Sequence, residues 1–460
     1  MSESSFDAII IGAGQAGPPL ATRLCHAGKR VALIERKFFG GTCVNAGCMP
    51  TKTLVASAAA AHVARRAADY GVVIGLPIGI DMPAVKARKD AVVTKARANV
   101  EAGLRALKTC TLLEGHARFL SPTQVQVGDA MLSAPQIFIN VGARATVPDF
   151  PGIDAVAVMT STSILALETV PRHLVVVGGS YIGLEFAQMY RRFGSEVTIV
   201  EKGPRLIQRE DPDISAAIAA ILEREGIRLR LNAECIHFAP RGTDIAVGVT
   251  CASGDPDEIG SHVLVAVGRR PNTDDLSLDK AGVDIDARGS IVVDDTLRTT
   301  APGIWALGDC NGRGAFTHTA YNDFEIVAAN LLDGETRRVS DRLPAYGLYI
   351  DPPLGRVGLT ETEARATGKR LLVSTRPMTR VGRAIEKGET QGFMKVVVDA
   401  DSQRILGAAI LGVGGDEVVH GLLDSMYANA PYTVIQRSVP IHPTVSELLP
   451  TLLSDLKPAS

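Results

Sequence analysis

At 460 residues the chain is too long for a single hydrophobic core, and ~150 residues per domain predicts about three domains. Hydrophobic residues at 46% and charged residues at 21% are ordinary globular proportions and exclude a disordered chain. The formal charge of -2, with no lysine or arginine stripe, excludes a basic field for nucleic acid or an anionic lipid surface.

The N-terminus reads Met-Ser-Glu-Ser-Ser and runs into DAIIIGAG with neither a basic leader nor a cleavage site. No apolar run reaches the ~18 residues of a membrane span. Seven cysteines, an odd count without regular spacing, do not form a secreted disulfide framework. The expected compartment is a reducing cytoplasm, where a close cysteine pair is more often catalytic or metal-binding than structural.

The first predicted unit spans 8–37, AIIIGAGQAGPPLATRLCHAGKRVALIERK. A short apolar strand leads into a glycine turn, an amphipathic helix and a second strand that ends at Glu35. In such a unit Gly12 makes the tight turn, Gly14 lets the backbone approach a pyrophosphate, and Gly17 permits close helix–strand packing. The helix N-terminus offers free N–H groups to phosphates. Pro18 and Pro19 fall in its first turn, where a missing N–H costs little. Glu35 stands where an acid accepts hydrogen bonds from a ribose diol.

Next comes GGTCVNAGCMPTKTLVASAAAAHVARRAADYG, in which four residues separate Cys43 from Cys48. The alanine-rich run from about 50 to 70 predicts a helix with Gly71 as its stop. Cys48 then sits at the helix entrance, where the dipole favours a thiolate, and Lys52 lies one turn on along the same face. Redox chemistry competes here with three other readings. A zinc site needs two more ligands, and there is no second close Cys or His pair. A static disulfide is disfavoured by the compartment, and a pair of buried free cysteines stays open.

Residues 174–203, LVVVGGSYIGLEFAQMYRRFGSEVTIVEKG, repeat the first unit. Gly12 to Gly28 and Gly178 to Gly194 are both 16 residues, and Gly12 to Glu35 and Gly178 to Glu201 are both 23. Gly183 matches Gly17, while Ser180, small enough to be tolerated, replaces the middle glycine. Two dinucleotide sites in one chain predict two dinucleotides, a nicotinamide and a tightly held flavin, because electrons must pass from one to the other.

From about Leu343 the character changes. GFMKVVVDA and RILGAAILG predict strands joined by a turn, and DEVVHGLLDSMYANA predicts a helix, so an α+β module packs on the dinucleotide-binding body. Near the end, Thr444 to Glu447 fits a capping box, which would leave His442 a loop residue. A histidine beside a reactive thiol is also a useful proton carrier near pH 7. His237 and His318 have no comparable context.

GGTCVNAGCMPTK, INVGARATVPDFPG (139–152), VAVGRRPNT (265–273), GIWALGDC (303–310), DPPLGRVGLTE (351–361) and HPTVSE (442–447) together span nearly the whole chain. With these motifs the chain resembles the class I pyridine nucleotide–disulfide oxidoreductases, the family of glutathione reductase, dihydrolipoyl dehydrogenase and mercuric reductase. The resemblance implies an α/β protein with two Rossmann-like dinucleotide-binding domains, for FAD and NAD(P), plus a C-terminal α+β dimerisation domain. The implied division is 1–148 for the first part of the FAD domain, 149–270 for the NAD(P) domain, 271–342 for the second, central part of the FAD domain and 343–460 for dimerisation.

The resemblance also implies residue roles. Cys48 is the flavin-proximal, charge-transfer thiol and Cys43 the interchange thiol, Lys52 and Glu185 pair beside the flavin, and Asp309 binds its ribityl chain. Tyr181 gates the nicotinamide pocket, while Gly41, Thr42, Gly142, Gly179, Ile182, Gly268 and Gly308 complete the cofactor contacts. His442 and Glu447 form a dyad that completes the active site of the partner in a homodimer. On the residues alone, Glu185 merely complementing a helix N-terminus and Tyr181 merely packing remain open.

Outside the shared motifs the chain is most similar to mercuric-reductase-like proteins, including a reactive-chlorine-resistance branch. Unlike mercuric reductase it ends LLSDLKPAS without a vicinal cysteine pair, begins its flavin unit at residue 6, and carries His442. The expectation is therefore an NAD(P)H-dependent flavoenzyme that reduces a metal ion or a disulfide at Cys43 and Cys48, with no structural metal. A dihydrolipoyl dehydrogenase or glutathione-reductase type of enzyme is the alternative. NADH is expected over NADPH, since Glu201 accepts bonds from ribose hydroxyls and repels a 2′-phosphate.

Overall fold

The computed structural model describes residues 3–75, 77–249 and 256–459. Its first sheet has five parallel strands in the order Ile304–Ala306, Gln136–Ile139, Ala8–Ile11, Val31–Glu35 and Cys110–Glu114. Ala8–Ile11 sits at the centre and is buried along its whole length. That is why it reads as an unbroken apolar run, as strands covered on both faces do. Glu3–Ser5, ahead of the expected start of the flavin unit, is itself a strand and pairs in parallel with Ala130–Ser133 in a separate sheet.

The second sheet repeats the plan. His173–Val177 lies between Glu196–Val200 and His262–Val265, with Arg228–Arg230 at the edge, all parallel. A short antiparallel ladder, Arg269–Pro271 on Ala143–Ala145, ties the segments that follow His262–Val265 and Gln136–Ile139. The helix Cys48–Arg65 shares a buried cluster with Tyr181–Phe193, through Leu54 and Ala58 on one side and Leu184 and Ala187 on the other. This packing joins the cysteine segment to the second unit.

The C-terminal sheet is antiparallel, in the order Ala345–Leu348, Leu354–Gly358, Ile405–Leu411, Phe393–Asp399, Leu371–Pro377 and Lys457–Pro458. The two predicted strands are its central pair. Two predicted helices come out shorter. The alanine-rich run is α-helical over Cys48–Arg65 and becomes a 3₁₀ turn over Ala67–Tyr70, and Gly71 ends it at φ 72°. The helix predicted from Asp416 is Gly415–Val418 followed by His420–Tyr427, interrupted at Val419. Gly415 and Gly421, poor helix formers, flank that break. Among the described residues no helix is long and apolar enough to cross a membrane.

Candidate active site

The first glycine turn follows strand Ala8–Ile11. Gly12 takes φ +105°, and a Cβ there would lie 2.2 Å from the Asn140 carbonyl oxygen, so no other residue fits. A Cβ on Gly17 would lie 2.3 Å from the Gly12 oxygen, which is the close helix–strand approach the spacing predicts. Gly14 faces the Asn140 side chain. The cysteine segment closes on this turn: Gly40 N donates to Ala13 O at 2.9 Å, and a Cβ on Gly41 would lie 2.7 Å from Gly14 Cα. Thr42 follows in the short helix Gly41–Ala46.

Asp309 follows the edge strand Ile304–Ala306, beside Gly308, whose N–H donates to Asp323 at 2.8 Å. Burial raises the Asp309 carboxyl above its ordinary range, and Arg269, the cation beside it, stands 3.7 Å away. Gly142 and Gly268 take the corners of the adjoining ladder, the Gly142 carbonyl accepting from Asn272 N and the Gly268 carbonyl from Thr146 N, each at 3.0 Å. Turn, Asn140 and Asp309 thus line the carboxyl edge of a parallel sheet, where open α/β sheets bind dinucleotides. A tight glycine cradle with an enclosed, weakly paired carboxylate fits FAD.

Both cysteines of the pair are free thiols. Cys48 is the first residue of helix Cys48–Arg65, and its Sγ lies 3.1 Å from Thr317 Oγ1. The hydrogen bond from Cys43 brings the Cys48 thiol down to about 6, against an opposing effect of burial, with further help from Thr317 and the Lys52 charge. The same contact, with burial, pushes Cys43 well above the ordinary thiol range. One proton is therefore shared unequally, and Cys48 is the member that ionises first.

Lys52 Nζ donates to Glu185 Oε2 at 2.7 Å, and Glu185 is 5% exposed. The other carboxylate oxygen accepts Tyr349 N at 3.1 Å, and Lys52 stands 4.5 Å over the Tyr349 ring. Glu185 is an ion-pair partner from inside helix Tyr181–Phe193, and no mere complement to that helix's N-terminus.

The second turn follows His173–Val177. Gly178 takes φ +116° with a would-be Cβ 2.5 Å from Ala266 O, and one on Gly183 would lie 2.0 Å from Gly178 O. Ser180 takes the N-cap position in extended backbone without a side-chain cap bond. Glu201 accepts Gly179 N at 2.6 Å and Gly203 N at 2.8 Å. Glu35 does the same at the first turn, accepting Ala13 N at 2.9 Å and Lys37 N at 2.8 Å. Both acids brace the glycine turns they follow, a role the sequence pattern did not reveal.

Tyr181 and Ile182 open the second helix. The Tyr181 ring meets Tyr346 and Phe316 edge-on, with centroids 5.5 and 6.1 Å away. Burial pushes its phenol up to about 12.

His442 and Glu447 are joined by Nδ1 to Oε2 at 2.9 Å, while the Glu447 N–H donates to Thr444 Oγ1 at 3.2 Å. The Glu447 carboxylate thus orients the histidine, and the capping half contributed by Thr444 coexists with it. The His442 side chain is 80% exposed. Sequence reasoning missed Thr317, Tyr349, Phe316, Tyr346 and Arg209, which belong to no spaced motif. It also gave His318 no context, whereas its ring stacks 5.4 Å from Phe316, next to Thr317.

Residues 6–323 match the family described as pyridine nucleotide-disulphide oxidoreductase, and residues 345–453 match its dimerisation domain. A probable pyridine nucleotide-disulfide oxidoreductase, RclA of Escherichia coli, is 38% identical over 99% of this chain and the whole of the relative. A mercuric reductase of Streptomyces lividans is 34% identical over 97% of this chain and 95% of that one. A dihydrolipoyl dehydrogenase of Chlamydia muridarum is 33% identical over 96% and 95%. The solved Cu(II) complex of the HOCl-induced flavoprotein disulfide reductase RclA superposes with a TM-score of 0.89 at 37% identity, covering 97% of this chain and 99% of that one. Two like-built dinucleotide cradles, a thiol pair at a helix entrance between them, and these full-length likenesses place the chain in the pyridine nucleotide–disulphide oxidoreductases, as a FAD-dependent oxidoreductase that works with a pyridine nucleotide.

Proposed function

We propose that this protein takes electrons from NADH and delivers them, through the Cys43–Cys48 pair, to a metal ion or disulfide substrate in the cytoplasm. The observation that carries the reading is the unequal thiol pair, with Cys48 brought down to about 6 beside Thr317 and Lys52. FAD, held by the first turn, Glu35 and Asp309, supplies the relay between a hydride donor and the cysteine sulfurs when bound. The division into FAD-binding (1–148 and 271–342), NAD(P)-binding (149–270) and dimerisation (343–460) parts belongs to the same proposal, as does a homodimer.

On a disulfide substrate, His442 of a second copy of the chain takes the Cys43 proton as Cys43 attacks one sulfur, and returns that proton to the other sulfur as it leaves. Cys48 then attacks the Cys43 sulfur, releasing the second substrate thiol and restoring the Cys43–Cys48 bond. Two electrons have moved from the pair to the substrate. Glu447 holds the imidazole in the tautomer that presents the other ring nitrogen. This dyad favours the second reading, a dihydrolipoyl dehydrogenase or glutathione-reductase type of activity. A soft metal ion needs thiolate ligands and electrons, with no proton for a leaving sulfur. The similarity to a copper-complexed disulfide reductase favours the metal.

The test is NADH-dependent turnover of Cu(II), Hg(II), lipoamide and glutathione disulfide side by side, with wild type and His442→Ala. The metal reading expects brisk metal-dependent NADH oxidation that survives the substitution. Brisk lipoamide or glutathione disulfide turnover that collapses in the variant, with the metals ignored, replaces it by the disulfide reading.

A further inference from the structure

Tyr181 stands at the mouth of the second cradle, and what surrounds it is uneven. The Arg209 guanidinium lies 4.5 Å over the Tyr181 ring, 5.1 Å from the Tyr346 ring and 5.8 Å from the Phe316 ring, within the range of cation–π attraction. Two of these rings are pinned. Tyr346 donates its hydroxyl to Glu210 at 2.6 Å, and Glu210 is itself held by the buried Arg356. Phe316 stacks on both Tyr346 and His318, and its N–H donates to Thr319 at 3.1 Å as the helix Thr317–Ala328 begins. Tyr181 is different: its hydroxyl is buried and lies beside Tyr346 without a well-formed hydrogen bond. A buried hydroxyl left unsatisfied favours a position in which water reaches it. Tyr181 is therefore the movable wall of the cage.

Arg209 is placed to oppose that motion. The corner that presents it runs through Ile207, whose φ of +43° is costly for a β-branched residue. The Ile207 N–H donates to Gly179 O at 2.9 Å, fixing the corner to the second glycine turn. Glu210, the neighbouring acid, is committed to Tyr346 and Arg356, and the contacts of Arg209 are the three ring faces. We propose that Arg209 is a positioning residue of the nicotinamide pocket, its guanidinium latching the Tyr181 ring across the cradle until a dinucleotide displaces it. The proposal rests on the reading of Tyr181 as the ring that covers this pocket.

The test compares Arg209→Ala, Arg209→Met and Arg209→Lys with the holoenzyme, measuring NADH turnover at about 0.1 M and 1 M salt, where the screening length falls from ~10 to ~3 Å. Loss of the latch lowers KM for NADH by roughly two- to fivefold in the Ala and Met variants at both salts, through KM rather than kcat, and Lys retains most of the wild-type value. An unchanged KM overturns the proposal. So does a raised KM that high salt erases, which makes Arg209 an attractor for the dinucleotide phosphates. Tyr181→Ala separates the two layers. If it lowers KM and Arg209→Ala adds nothing on top, the latch acts through the ring. If it lowers KM and Arg209→Ala adds its full effect, the latch fails while the pocket reading stands. If it leaves NADH kinetics untouched, the pocket reading fails and the latch goes with it.

Discussion

At the first glycine turn the cover is backbone: Gly40 donates to Ala13, and Gly41 packs on Gly14 with no room for a side chain. At the second turn the cover is a tyrosine ring with an unsatisfied hydroxyl, flanked by an exposed arginine. The foundations match closely, since Glu35 and Glu201 accept the same pair of backbone N–H groups at the same offsets. The difference is one of anchoring. A lid made of two adjacent glycines inside the cysteine segment cannot lift without moving the redox pair, whereas a single ring can swing. On the proposed assignment of FAD to the first cradle and the nicotinamide to the second, that difference suits a resident cofactor at one and an exchanging one at the other.

The largest effect should come from the thiols, which lie against the first cradle. Cys43→Ser and Cys48→Ser should each lower disulfide turnover by at least ~10³-fold, because each sulfur is a nucleophile in turn. Both variants should stay yellow, with one FAD per chain, since neither sulfur holds the turn together. Cys43→Ser should keep a long-wavelength charge-transfer absorption from the Cys48 thiolate, and Cys48→Ser should lack it. Full disulfide reductase activity in either variant overturns the assignment. A colourless protein that gains nothing from added FAD breaks the account of the first cradle as the resident site.

His442→Ala comes next. It should cut turnover of a disulfide by ~10²–10⁴-fold, the usual contribution of a placed acid–base group. Reduction of the protein by NADH should be nearly intact, because that step uses the second cradle. Stopped-flow spectra of the reductive half-reaction against steady-state turnover make the comparison, and equal losses in both place His442 elsewhere in the cycle.

The parts of this design legible in the sequence are those with fixed spacing. Gly12, Gly17 and Glu35, then Gly178, Gly183 and Glu201, recur at equal offsets because a strand, a tight turn and a helix leave no freedom in length. Cys48 at a helix entrance follows from the alanine run after it. Thr317, Tyr346 and Tyr349 were invisible for the opposite reason. They reach Cys48, Tyr181 and the Lys52–Glu185 pair from elements far along the chain, and nothing local in their sequence reflects the contact. Arg209 looks like an ordinary surface arginine until three rings from three segments converge on it. The brace by Glu35 and Glu201 was half legible, since the offset identified the acids, but their bonds to the turn appear only in the folded chain.

A smaller effect, and a sharper comparison, comes from the two acids. Losing a charged hydrogen-bond acceptor typically costs about 1.5–3 kcal/mol, roughly 10- to 100-fold in affinity. Glu201→Ala should therefore raise KM for NADH by about that factor, while Glu35→Ala should show up as flavin lost on dialysis with KM for NADH little changed. Glu201→Gln keeps the shape and removes the charge, so its NADH over NADPH preference should narrow, with kcat/KM for NADPH rising. Lys202 and Arg205 lie close by in the sequence and should keep any such preference modest. A wild-type kcat/KM higher with NADPH than with NADH counts directly against Glu201 as the selector.

The smallest effect tests the asymmetry of the thiols themselves. Thr317 Oγ1 lies 3.1 Å from Cys48 Sγ, and a hydroxyl that donates to the thiolate stabilises the charged form alone. Thr317→Val keeps the shape and removes the donor, so the Cys48 pKa must rise from its value of about 6. A loss of about 1.4 kcal/mol corresponds to one unit, which sets the size to look for. A thiol brought down below its ordinary value is ionised above that pKa and protonated below it. The long-wavelength absorption of the reduced protein should therefore fade as pH drops through about 6 in wild type, and through about 7 in the variant. Lys52 and the Cys43 thiol remain in place, so the midpoint should stay below that of an ordinary cysteine. An unmoved midpoint would show that Cys43 and Lys52 alone set the charge on Cys48, and that Thr317 is a neighbour without influence on the thiolate.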